Sequence, residues 1–313
     1  MHQDKKIENT YVIGDVHGCF HTLQNLVVRL PEDAELIFVG DLCDKGNFSK
    51  EVIAFVAEGG HACVKGNHEY LMQTYLEDAI LHDKHSPWSS DKRYGGLSTL
   101  ESYQNDHAKM HEHLEWIKNL PVYIERDKYF ITHGFALPFH AHRGNPEYNK
   151  EYLLNRYKKG MHVEDAKVIN IFGHCVFDEV VRGENFYGID TGCSYGKKLT
   201  ALQLDTMQLI QEPMDARDSD YRMKKMELHH LEEILHDSIA LHELVNHIDT
   251  KFVHFDLVST EVASHIVTTY GEDGVATVHQ MLEKKQVFVR QVKEVVEGFE
   301  IRYIESQNKS KFS

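Results

Sequence analysis

The chain has 313 residues, 42% of them hydrophobic and 27% charged, which is the composition of a water-soluble globular protein with room for one large core or two smaller ones. Its net charge of −15 disfavours attraction to a nucleic-acid backbone. No apolar run approaches the roughly 20 residues of a membrane span, and the opening MHQDKKIENT lacks the apolar stretch of a signal peptide. Cys19, Cys43, Cys63, Cys175 and Cys193 are odd in number and show no CxxC spacing, so the expectation is reduced thiols in a cytoplasmic protein.

In chain order, Thr10–Ile13 is short, β-branched and aromatic, and predicts a strand ending at Gly14. Leu23, Leu26, Val27 and Leu30 have helical spacing across His21–Leu30. Glu35–Val39 predicts a second buried strand, with a helix over Ser49–Glu58. A third strand at Ala62–Lys65 leads into a helix over His68–Leu81. This alternation implies a largely parallel sheet with right-handed crossovers, and ligands bind beyond the carboxyl ends of such strands.

Asp83–Tyr103 is the least regular stretch and predicts a flap over the site. Ala108–Leu120 reads as a helix closed by Pro121, and strands are expected at Lys128–Thr132, Val168–Phe172, Phe186–Ile189 and Leu199–Leu204, which together would form a second sheet. Gln211–Asp220 is polar and contains a proline, which reads as a linker. It separates a catalytic domain over 1–210 from a small α+β module over 221–313. In that module Tyr221–His247 has a helical stripe. Gln286–Val295 and Phe299–Ile304 suggest a hairpin around Glu297-Gly298.

Five patches carry the chemistry: GDVHG at 14–18, GDLCDKG at 40–46, GNHE at 66–69, His133-Gly134 and Gly173-His174. Each sets Asp, Asn or His beside a glycine just after an apolar run. Carboxylate, amide and imidazole together suit manganese, iron or zinc better than calcium. Such patches at successive strand ends point to a two-metal hydrolytic site. Asp15 and His17 lie two apart on one strand exit, so both side chains can point the same way.

These motifs resemble those of the calcineurin-like metallophosphoesterases, and within them the phosphoprotein phosphatase branch in its bacterial and phage forms. The likeness runs from about Thr10 to Asp205 and includes YGGLSTLESY at 94–103, WIKNLP at 116–121 and IDTGCSYGKKLTAL at 189–202. It implies an α/β fold, a β-sandwich flanked by helices in αββα layers, and two divalent cations. Manganese is expected, with iron or zinc as alternatives. By resemblance Asp15 and His17 bind the first metal, Asp41 bridges, and Asn67, His133 and His174 bind the second. His68 then protonates the leaving oxygen and Asp44 orients it. The family's reaction is direct attack by a metal-activated hydroxide, so no nucleophilic Ser or Cys is needed.

The family also grips phosphate with arginines. Here Lys45 and Lys65 stand in two of those places, and the third is matched by Arg156, with Arg143 as a weaker candidate. Lysine keeps the charge but loses the planar fork that holds two oxygens. The leading expectation is a Ser/Thr-type protein phosphatase acting on a phosphorylated protein or small phosphoester. The alternative is a dinucleoside polyphosphate hydrolase, which Lys45 favours and Asp44 disfavours. A catalytically silent scaffold stands third, opposed by the intact ligand set.

Overall fold

The computed structural model describes residues 7–219, apart from 92, 162 and 164–166, together with 295–296 and 299–300. The chain divides into two compact units, 1–221 and 222–313. The first unit runs β1 (Thr10–Ile13), α1 (Phe20–Val27), β2 (Glu35–Phe38), α2 (Ser49–Glu58), β3 (Ala62–Cys63) and α3 (Asn67–Leu81). It continues with α4 (Pro87–Ser90), α5 (Gly96–Ser102), α6 (His107–Lys118), β4 (Tyr123–Arg126), β5 (Tyr129–Thr132) and α7 (Asn149–Leu154). It closes with β6 (Ile169–Phe172), β7 (Val181–Gly183), β8 (Phe186–Gly188), β9 (Lys198–Gln203) and β10 (Leu209–Pro213).

Two five-stranded sheets form the sandwich, in the orders β10-β9-β1-β2-β3 and β4-β5-β6-β8-β7. β1, β2 and β3 are parallel, as the βα alternation requires, and β5, β6 and β8 are parallel in the second sheet. Val12, Ile37 and Leu202 of one sheet meet Ile131 and Ile171 of the other. Their strand neighbours Ile13 and Phe38 turn outward onto Leu23, Val52 and Met72 of the helices. A strand covered on both faces has no polar alternation, which is why TYVI reads as a continuous apolar run.

Three expectations change. Leu199–Leu204 belongs to the first sheet, as β9 antiparallel to β1, and not to the second. Asp83–Tyr103 is no loose flap: it folds into α4 and α5 and buries Trp88, Leu100 and Tyr103 in the helical layer. Gln211–Ser219 is not a linker. β10 pairs with β9 from Leu209 to Pro213, and Met214 is fully buried.

Asp218 explains why the segment stays down. The first turn of α1 has no side-chain cap of its own, because its N-cap residue is Cys19. Asp218 supplies that cap from a distance: its carboxylate accepts from the backbone N–H of His21 at 2.7 Å and of Thr22 at 2.6 Å. Its carbonyl accepts from Asn47 N–H at 2.7 Å, so one residue ties the GDVHG and GDLCDKG loops together. The catalytic unit therefore extends past 210. In the second unit the described residues are a strand pair, β11 (Val295–Val296) antiparallel to β12 (Phe299–Glu300). The predicted helix Tyr221–His247 lies outside the described residues.

Two outcomes follow for stability. Asp218→Ala should cost about 1–2 kcal/mol, the usual loss for a helix cap. A chain ended after Gln211 should unfold well before one ended after Ser219. Equal denaturation midpoints for both pairs would remove the capping role. The second concerns His113 on α6, which is buried and hydrogen-bonded through Nδ1 to the Tyr103 hydroxyl at 2.6 Å. Burial, reinforced by the Lys109 charge, pushes its pKa from 6.5 down to about 4. The fold therefore favours neutral His113, and this contribution is complete above pH 6.5 and lost as pH falls through 4. His113→Asn should lose less stability than the wild type between pH 7 and 4.5, as read by melting temperature.

Candidate metal centre

All the motif residues stand at the carboxyl ends of strands. Asp15 and His17 follow β1, Asp41 and Asp44 follow β2, Asn67 and His68 open α3 after β3, His133 follows β5 and His174 follows β6. To converge there the backbone adopts conformations that non-glycine residues avoid. His17, Asp41, Asp44, Lys45 and His174 have φ of 48°, 51°, 72°, 67° and 62°. Such left-handed residues are strained and persist only when their surroundings hold them.

Those restraints are explicit. The carbonyl of Asp41 accepts from His17 N–H at 2.8 Å, and Gly46 N–H returns to the His17 carbonyl at 2.9 Å. Glu69, fully buried, accepts from the N–H of Asp41, Leu42 and Gly66, each at 2.8 Å. Gly173 is glycine because of close approach: a Cβ there would stand 2.0 Å from Asp15 Oδ1.

Asp15, His17, Asp41, Asn67, His68 and His174 line a cavity of about 230 Å³. His17, Asp41 and His68 form one group of donor atoms, and Asp41, His133 and His174 a second, all within 4.8 Å of one another in each group. Asp41 belongs to both. One oxygen lies 3.4 Å from His17 Nε2 and the other 3.2 Å from His133 Nε2. Asn67 Oδ1 lies 2.9 Å from His133 Nε2. Asp15 lines the same cavity but stands outside both groups, and its carboxylate accepts the His174 N–H at 3.1 Å.

The hydrogen bonds fix which nitrogen of each histidine is free. Nδ1 of His17 donates to the Cys43 carbonyl and Nδ1 of His133 to the Val39 carbonyl, both at 2.8 Å. Burial holds His17 neutral, so its Nε2 carries a lone pair 3.4 Å from an Asp41 oxygen, and such acceptors repel unless positive charge lies between them, whereas Asp41 outweighs burial at His133 and raises it above the ordinary imidazole value. At His17 that charge is the Lys45 ammonium, 2.8 Å from Nε2, a stand-in for a metal cation. Burial pushes the Asp15 carboxyl up, with further push from Asp190 and Asp41. Burial also raises Asp41, but His133, His68 and His17 outweigh it and hold the carboxyl well below its usual range. For His174, burial followed by His133 lowers the pKa to about 3, so its ring is neutral and available as a ligand. The donor set therefore fits two borderline divalent cations.

His68 is held differently. Its Nδ1 donates to Asp44 Oδ2 at 2.6 Å, and its Nε2 faces the cavity 3.8 Å from Asp41 Oδ2. Burial lowers its pKa, but Asp41 and the Asp44 hydrogen bond outweigh burial and raise it above the ordinary imidazole value. Asp44 is fully buried and accepts two further bonds, from Trp88 Nε1 at 2.8 Å and Thr99 Oγ1 at 2.6 Å.

The cationic residues divide. Lys45 and Arg156 line the cavity. Lys65 does not: its ammonium donates to Gln73 Oε1 at 2.8 Å and the Lys118 carbonyl at 3.1 Å, facing α3 and α6. Arg143 pairs with Glu125 instead. Asp190 and Tyr195, both within the 189–202 segment, and Val176 also line the cavity. Asp190 carries the signal that marked Asp15 and Asp41: an aspartate directly after an apolar strand and near a glycine. Trp88 and Thr99 carry no comparable signal.

The calcineurin-like phosphoesterase profile matches residues 9–183, more than half of the chain. This protein belongs to that family. Among its relatives, the asymmetrical bis(5'-nucleosyl)-tetraphosphatase PrpE of Anoxybacillus flavithermus is 26% identical over 237 residues, 64% of this chain and 93% of that protein. The symmetrical bis(5'-nucleosyl)-tetraphosphatase of Methylobacillus flagellatus is 25% identical over 282 residues, 67% of this chain and 96% of that one. A metallophosphoesterase structure from Sphaerobacter thermophilus aligns over 66% of this chain and 87% of that chain, at 14% identity and a TM-score of 0.43. Calcineurin-like phosphoesterases hydrolyse phosphoesters at a two-metal centre, and this phosphoesterase has two groups of residues that could hold a metal ion. Among the described residues no helix is long and apolar enough to cross a membrane.

The shared position of Asp41 sets a test. Asp41→Asn should empty both positions together, whereas His174→Ala should lower metal content from about two ions to about one per chain. Elemental analysis of the purified variants checks this. Independent loss of single ions in Asp41→Asn would show that it does not bridge.

Proposed function

We propose that this phosphoesterase hydrolyses dinucleoside polyphosphates. The observation that carries the reading is the pair Lys45 and Arg156 on the cavity wall, with Lys45 in the place where the phosphoprotein phosphatase pattern has arginine. A flexible point charge suits a chain of successive phosphates better than a rigid fork shaped for one phosphoryl group. The tetraphosphatase relatives, of both symmetrical and asymmetrical types, support the same substrate class.

Asp15, His17 and Asp41 would hold one divalent cation, and Asp41, Asn67, His133 and His174 the other. Bound there, two cations supply an activated water and neutralise charge on the phosphoryl oxygens. The donor set favours manganese, with iron or zinc as alternatives. The protein's own residues do the rest. Lys45 and Arg156 bind phosphate oxygens that extend beyond the reacting group. His68 presents Nε2 to the cavity and delivers a proton to the departing oxygen. Asp44 fixes the tautomer by accepting the hydrogen bond from Nδ1–H and, with Asp41, keeps the ring basic enough to hold the second proton.

The Asp44–His68 pair favours a second reading, a Ser/Thr-type protein phosphatase. A serine or threonine alkoxide leaves poorly without a proton, whereas a nucleotide phosphate leaves well without one. An assay with added manganese, comparing diadenosine tetraphosphate with a phosphoserine peptide, separates the two. A higher kcat/KM for the dinucleotide is expected, and the reverse ranking would replace the proposal with the second reading. Lys45→Arg should lower dinucleotide turnover selectively. Lys65→Arg should leave the ratio between the substrates unchanged, because its ammonium faces Gln73 and Lys118.

A further inference from the structure

We infer that Trp88 and Thr99 are positioning residues for proton delivery, and that the α4–α5 segment works as a clamp on the Asp44 carboxylate. The inference rests on the assignment of His68 as the general acid and is independent of which phosphoester is the natural substrate. Asp44 has two carboxylate oxygens, and each is assigned. Thr99 Oγ1 donates to Oδ1 at 2.6 Å, while Trp88 Nε1 at 2.8 Å and His68 Nδ1 at 2.6 Å both donate to Oδ2. The same Thr99 oxygen accepts the Asp44 N–H at 2.9 Å. Thr99 therefore grips both ends of a residue whose φ is 72°, a conformation that does not hold itself.

Nothing in the immediate motif GDLCDKG could do this. Both donors come from a segment 44 and 55 residues downstream. Trp88, Thr99 and Asp44 are all fully buried, so no water can substitute for a missing donor without rearrangement. The segment is also built for contact. A Cβ on Gly96 would stand 2.5 Å from the Trp88 indole, so only glycine lets α5 lie against that ring. Lys45 N–H donates to the Gly95 carbonyl at 3.3 Å, which carries the contact from Asp44 to the next residue of the loop.

The chemical consequence concerns orientation. A carboxylate with only the His68 bond could rotate and offer either oxygen, letting the imidazole swing. With Oδ1 occupied by Thr99 and Oδ2 shared with the indole, the ring is left one orientation, with Nε2 directed at the cavity. Removing a donor should therefore leave the cations and the phosphate grip in place and damage proton delivery. That damage is visible only where the leaving group needs the proton.

The experiment compares phenyl phosphate, a poor leaving group, with p-nitrophenyl phosphate, a good one, using the full-length metal-loaded protein. Trp88→Phe keeps the ring and removes the N–H; Thr99→Val keeps the shape and removes the hydroxyl. Each should lower kcat on phenyl phosphate by about 10- to 100-fold, the factor carried by one hydrogen bond to a charged group, with a far smaller loss on p-nitrophenyl phosphate. Thr99→Ser, which retains the hydroxyl, should keep the wild-type ratio. Metal content should stay unchanged throughout. His68→Asn serves as the reference. If it shifts the ratio and the two clamp variants do not, or if they slow both substrates equally, the positioning role is overturned. If His68→Asn itself leaves the ratio unchanged, the general-acid assignment fails and takes this inference with it, without bearing on the substrate class. Should Trp88→Phe fail to fold, the Thr99→Val and Thr99→Ser pair decides the question alone.

Discussion

The structure depends on Asp41, a buried carboxylate held in a left-handed backbone conformation between two groups of histidines. Such a residue faces two costs: strain in its dihedrals and removal of its charge from water. Neither is met by Asp41 itself. Glu69 fixes the backbone from α3 by accepting the N–H groups of Asp41, Leu42 and Gly66. The imidazoles of His133, His68 and His17 hold the charge. The GNHE motif thus has a double function that its metal-binding reading hides. Asn67 and His68 face the cavity, while the glutamate beside them turns back to build the neighbouring loop.

The same division of labour explains what was legible in the sequence. The candidate ligands are legible, because a polar ligand that follows a strand directly needs glycine where backbones approach. Asp15, His17, Asp41, Asn67, His133 and His174 all carry that signature, and the structure places each of them at the cavity or within its donor groups. Lys65 shares the position of a motif residue but not its direction. It precedes Gly66, just past a two-residue strand, and α6 offers its ammonium the Lys118 carbonyl while α3 offers the Gln73 amide oxygen. Position beside a motif therefore did not decide where the side chain points.

What the sequence hid was long-range. Trp88, Thr99 and Asp218 act through hydrogen bonds to residues 44, 55 and about 200 positions away, and no local periodicity encodes such contacts. Fold errors have the same origin. β9 reads as an ordinary apolar strand, and only the pairing partner distinguishes membership of one sheet from the other. The polar run from Gln211, whose first residues belong to β10, reads as a linker because its composition is that of a loop. Asp218 is polar, yet buried, because it satisfies the unpaired N–H groups of α1, the one place where burial of such a residue is favourable.

Taken together, these distant contacts tie the two motif loops at opposite sides. Asp218 grips α1 and Asn47 from the carboxyl-terminal end of the catalytic unit; Trp88 and Thr99 grip Asp44 from the helical layer. Between the two grips lie Lys45 and Gly46, the point where one loop hydrogen-bonds to the other through the His17 carbonyl. A loop anchored on both sides keeps its strained residues in place without relying on bound cations to organise it. Electrostatics then leave the cations a specific task. Asp15, Asp41 and Asp190 are three carboxylates buried around one cavity, and burial pushes Asp15 and Asp190 toward their neutral forms. The frame is set by hydrogen bonds, and the anionic form of those carboxylates is what a divalent pair would stabilise.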